Sequence, residues 1–175
     1  MSELVAYAAV RDFVETGGDV LLVIAGVTFV MWMLILERFW YFGWVHPREA
    51  ARVEGRWRER ADRWSWNARQ IRVMWVTEVR MDLDRGLQII RSLVALCPML
   101  GLIGTVTGMI EVFDVMAITG TGNVRGMASG VSKATLPTMA GMVAALSGLL
   151  FSAQLDRFAR VEGARFENRL ELVEG

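Results

Sequence analysis

The sequence predicts an all-α membrane protein: three transmembrane helices with long cytoplasmic helical extensions. Three observations predict it. Hydrophobic residues make up 54% of the 175-residue chain, and its mean hydropathy of +0.36 is high for a soluble domain of this size. Three uncharged runs, Val20–Leu36, Leu93–Ile110 and Ala134–Leu155, hold 17, 18 and 22 residues. At about 1.5 Å per residue they reach across a bilayer core, the first at the short limit. The basic residues, finally, gather between and after these runs instead of being spread evenly.

The elements follow in order. Residues 1–19 form a leading segment made acidic by Glu3, Asp12, Glu15 and Asp19 where a signal peptide would be basic. The first span, 20–42, passes Glu37-Arg38 and ends in Phe39, Trp40, Tyr41 and Phe42, the aromatic belt expected at a membrane boundary. His46-Pro47 then reads as the turn leaving the membrane. In the loop 43–88, Val53, Trp57, Ala61 and Trp64 recur at helical spacing among charges, as do Ile71, Trp75, Val79 and Leu83. That pattern predicts two amphipathic helices broken near 65–68, with the tryptophans packed on one another or on a neighbouring subunit. The second span covers 89–118, a short outer loop containing TGTGN covers 119–127, and the third span covers 128–155. A mixed-charge segment, 156–175, continues the third helix.

Arginine sets the orientation. Twelve of the 19 basic residues lie from Arg38 to Arg91 and four more follow Leu155, against Arg11 and Arg125 on the other side and Lys133 in the third span. Positive charge stays in the cytoplasm, which puts the loop and tail inside and the N-terminus outside. The arginines read as a solvated face near anionic lipid headgroups; a net charge of zero gives no field for nucleic acid. His46 and Cys97 are each the sole residue of their kind. They make no catalytic triad, disulfide or metal cluster, so neither enzyme chemistry nor a cofactor is expected.

The second and third spans carry threonine and glycine where a lipid-facing helix would carry leucine. At 100° per residue, Val94, Pro98, Gly101, Gly108, Val112 and Met116 fall within about 60° of Thr105. Val131, Ala134, Gly141, Ala145, Leu149 and Ser152 group in the same way around Thr138. From the residues alone two readings stand. The faces are close-packed helix contacts, with each hydroxyl bonded to a carbonyl one turn back. Alternatively, the hydroxyls line a cavity around a partner helix that bears an ionisable group. Pro98 and Pro137 each remove a backbone donor and predict kinks, which lipid tolerates only where protein or water satisfies the freed carbonyl.

The run PMLGLIGTVTGMIEVF followed by GVSKATLPTMAGMVAALSG resembles the ExbB/TolQ/MotA proton-channel family. So does the order of a first span ending in LER plus aromatics, a helical loop, and two Gly/Thr-rich spans. Three spans are closest to ExbB or TolQ, and the TLPTMAG motif to the ExbB group. The resemblance implies a pentameric ring in a bacterial inner membrane, with a periplasmic N-terminus and a cytoplasmic C-terminus. It implies single-span ExbD-like partner helices inside the ring, whose membrane aspartate carries the proton, and a TonB-like transducer that drives import of siderophores or vitamin B12. Thr105 and Thr138 match the family's pore-facing threonines. A TolQ-like role in envelope integrity and a non-conducting scaffold are the alternatives.

One position departs from the family. Lys133, the only lysine, stands where ExbB and TolQ typically carry a glutamate, so a proton-relaying carboxylate is absent there. Lys133 projects about 140° from Thr138, away from that face. Two readings stand: it snorkels to the outer headgroups, or it pairs with Glu111 or Asp114 of the same or an adjacent subunit.

Overall fold

The computed structural model describes the backbone of residues 2–59, 65–119 and 124–170, and side chains from Gly18 onward within those ranges except 119, 124–127 and 129. Every element among them is helical: α1 (Ser2–Trp40), a π-helical turn (Tyr41–Val45), α2 (His46–Arg58), α3 (Trp66–Asp84), α4 (Leu87–Thr119) and α5 (Val124–Arg169). Three helical stretches, Gly18–Arg58, Trp66–Ile118 and Gly130–Arg169, are long and apolar enough to cross a membrane.

The helix does not turn at His46-Pro47 as the sequence suggested. It runs through, because the π-turn hands the His46 N–H to the Tyr41 carbonyl, and Pro47 falls in the first turn of α2 where no N–H is needed. Of the break expected near 65–68, the described residues show the start of α3: Ser65 caps it by accepting a hydrogen bond from the Ala68 N–H at 3.2 Å. Trp64, Leu172 and residues 120–123 of the expected outer loop lie outside the described residues.

Two compact units can be distinguished, one built from the chain up to Trp32 with Arg91–Leu149, the other from Met33–Ile90 with the chain from Leu150 onward. In the first, α1, α4 and α5 pack around Leu21, Ile24, Met31, Val94, Cys97, Val112, Ala134 and Ala144, all buried. Helix α1 breaks at Gly18, whose φ of 66° and ψ of −168° no side-chain-bearing residue adopts easily.

The second unit has its own core, in which Ala50 and Trp57 of α2 meet Ala68 and Val76 of α3 and Phe166 and Leu170 at the end of α5. Trp57 stacks edge-on against Trp75 with centroids 6.1 Å apart, whereas Trp66 is exposed. The end of α5 is held by Arg72, which donates to the carbonyls of Leu170 and Glu167 at 2.5 and 2.9 Å. These are carbonyls that a helix terminus leaves without intrahelical partners. At the α3–α4 corner Gly86 takes φ +79°, and the buried Arg38 guanidinium fills the space a side chain there would need.

Candidate functional site

Helices α4 and α5 meet along a seam of small residues inside the first unit. A Cβ added at Gly101 would lie 2.9 Å from the Thr138 Cα, at Gly108 2.6 Å from the Ala134 Cα, and at Gly141 2.5 Å from the Cys97 carbonyl oxygen. Such contacts are closed to any larger residue. Gly104 makes a notch that receives the fully buried Pro137 ring, and Gly130 and Gly148 receive Val112 and Met31 in the same way. Nothing in the hydropathy pattern had singled out Gly104, Gly130 or Gly148, since glycine leaves no mark there. The i, i+3, i+7 spacing of Gly101, Gly104 and Gly108 was a readable sign of the close approach.

The seam is not centred on the threonines. Its buried line passes through Cys97, Gly101, Gly104 and Gly108 on α4 and through Ala134, Pro137, Gly141, Ala144 and Gly148 on α5. Thr105 and Thr138 stand about 60° to one side of those lines. Pro98, Val131 and Leu149, expected on the threonine faces, are exposed, and Ala145 is half-buried. Both prolines lie within continuous helices.

In antiparallel helices an equal rotation carries both threonines to the same flank of the seam. The pairings Gly101–Thr138, Gly104–Pro137 and Gly108–Ala134 put Thr105 about 4 Å nearer the α4–α5 connection than Thr138, less than one turn. Cα–Cβ bonds tilt toward a helix N-terminus, so the two side chains lean toward each other. Thr138 donates its hydroxyl proton across the seam to the Gly101 carbonyl at 2.8 Å. Thr105 donates within its own helix to the Leu102 carbonyl at 2.7 Å. Each hydroxyl has one proton and two lone pairs. With the protons engaged, this flank offers hydrogen-bond acceptors in an apolar border formed by Leu102, Val106 and Met142, all exposed.

The opposite flank is occupied. The Lys133 Nζ lies 2.8 Å from the Glu111 Oε2 in the same chain, and Asp114 takes no part in that pair. The Lys133 stem passes beside the break at Gly18, and Val20 of α1 approaches Gly104. Helix α1 thus covers the ion-pair flank, and among the described residues no third helix of this unit covers the threonine flank.

Residues 52–168, which include the whole seam and the Lys133–Glu111 pair, match the profile of the MotA/TolQ/ExbB proton channel family. The chain belongs to this family. It is similar to "Putative biopolymer transport protein ExbB-like 1" of Synechocystis, 40% identical over 88 residues covering 44% of this chain and 35% of that protein. It is also similar to "Biopolymer transport protein exbB1" of Vibrio cholerae, 33% identical over 101 residues covering 57% of this chain and 44% of that one. A third relative, "Putative biopolymer transport protein ExbB-like 3" of Synechocystis, is 30% identical over 104 residues, with coverages of 49% and 50%. The match spans between about a third and a half of the length of these curated relatives. The family match thus falls on a chain with three helical stretches long and apolar enough to cross a membrane.

Proposed function

We propose that this is an ExbB-like motor subunit of a bacterial inner membrane, with its N-terminus in the periplasm and its C-terminus in the cytoplasm. Five copies enclose single-span ExbD-like helices and use the proton motive force to energise a TonB-like transducer. The work serves import of siderophores or vitamin B12 across the outer membrane. The observation that carries this reading is the uncovered flank with two converging hydroxyls whose protons are already engaged. A guest carboxylic acid is received there by donating its own proton to a threonine lone pair. A carboxylate finds no donor unless a threonine gives up its carbonyl bond. Together with the apolar border, this favours the protonated guest and lets the acid cross the site in neutral form. The proton path then depends on the guest's acid, Thr105 and Thr138, and on no ionisable group of this chain at mid-membrane.

The decisive test is proton-driven uptake in Thr138→Val and Thr138→Ser variants. Loss of one hydrogen bond, about 1 to 1.5 kcal/mol, should cut transport by about tenfold in the valine variant, and serine should restore it. Undiminished activity with valine removes Thr138 from the path.

The scaffold reading has one observation in its favour, the close packing of Gly101, Gly108, Ala134 and Gly141 across the seam. Proton flux into liposomes, with and without the guest helix, separates a channel from a scaffold.

A further inference from the structure

Where α1 and α5 leave their apolar stretches, the second unit holds a cavity of about 480 Å³. That volume lies within the roughly 300–1,000 Å³ of small-molecule sites. Its floor is the buried pair Phe42 and Leu155, and Phe158 packs on Phe42 with ring centroids 5.1 Å apart. Phe39 and Val161 form the apolar rim, and Arg157 and Arg165 the polar one. Gly43 also lines the cavity, and a Cβ there would meet nothing within 4 Å.

The charges have one sign to spare. Arg165 is joined to Glu162 at 2.6 Å, which neutralises both. Arg157 forms no ion pair among the described residues, so the cavity keeps one uncompensated cation. The level is also marked, since exposed Trp40 and Trp44 stack beside it with centroids 6.0 Å apart. Tryptophans of this kind sit at headgroup depth.

From the aromatic wall, the free arginine and the tryptophan belt we propose that this cavity seats one anionic phospholipid of the adjoining leaflet. Its phosphate pairs with Arg157, and its glycerol and upper chain lie on Phe39, Phe42 and Phe158. The proposal rests on the membrane placement of the helices and is independent of the threonine path.

The test is native mass spectrometry of the delipidated full chain titrated with phosphatidylglycerol, with phosphatidylcholine of the same chains, and with glycerol 3-phosphate as a headgroup without chains. Phosphatidylglycerol should bind about fivefold more tightly than phosphatidylcholine, the worth of one basic residue at a membrane surface. Arg157→Gln should erase that preference. Gly43→Leu, whose Cβ has open space and whose side chain would take up room in the cavity, should weaken binding while circular dichroism shows unchanged helix content. Equal binding of the two lipids, or a preference that survives Arg157→Gln, overturns the proposal. So does glycerol 3-phosphate binding as tightly as the lipid, which would make this a soluble-anion site. If Gly43→Leu fails to fold, the Arg157→Gln comparison decides alone.

Discussion

Thr138 gives its only proton to the Gly101 carbonyl, and Thr105 gives its own to Leu102. A hydroxyl so engaged can still accept, which makes the pair suited to a neutral acid and poorly suited to an anion. That commitment was invisible in the sequence: the 100° wheel gives the direction of a side chain but not what lies opposite. Lys133 was partly legible, because its spacing and height pointed to Glu111 or Asp114, and the choice of Glu111 needed coordinates. Both partners are partly exposed, so Lys133→Gln should lower thermal stability by no more than about 1 kcal/mol. Lys133→Glu should lower it further by setting two carboxylates together, and adding Glu111→Lys should restore it, measured by melting in detergent. A swap that fails to restore would remove the pair from the fold's support. Gly86 gives a sharper case. Gly86→Ala meets both a left-handed backbone and the Arg38 guanidinium. It should cost about 1–2 kcal/mol from the backbone alone, whereas Gly26→Ala, with open space around it, should cost nothing by the same assay.

At the level of elements, the α4–α5 seam explains why this chain places glycine in helices meant for hydrocarbon. Lipid gives no hydrophobic reward for helix contact, so close approach must come from small residues. The wheel drawn on the threonines captured Gly101, Gly108, Ala134 and Gly141 but missed Gly104 and set the centre about 60° off. The face defined by the polar residue and the face defined by contact are therefore distinct. Gly108→Ala would force the Ala134 backbone aside and should destabilise the helix pair by about 1–3 kcal/mol. A melting temperature equal to wild type would contradict the seam. The continuous α5 was legible from its uninterrupted helical pattern through Leu155 into the charged tail. The passage through His46-Pro47 was not: Pro at the start of a helix and Pro at a turn look alike in sequence, and the π-turn that decides between them has no residue signature.

For the whole molecule, the three apolar helices and the family were legible because both rest on long patterns: run length, and a Gly/Thr motif that extends over two helices. What the motif could not convey is which flank of the helix pair is free. Among the described residues of the first unit no third helix covers the threonine flank, whereas α1 and the Lys133–Glu111 pair close the other. That asymmetry is the central claim, since a channel for a guest acid needs the hydroxyls on the side no helix of the same unit occupies. The most direct measurement places a photo-crosslinking side chain at Thr105 and co-expresses the chain with the proposed ExbD-like partner in native membranes. The account predicts a covalent product with the partner's membrane helix. Adducts formed with lipid acyl chains alone would contradict it.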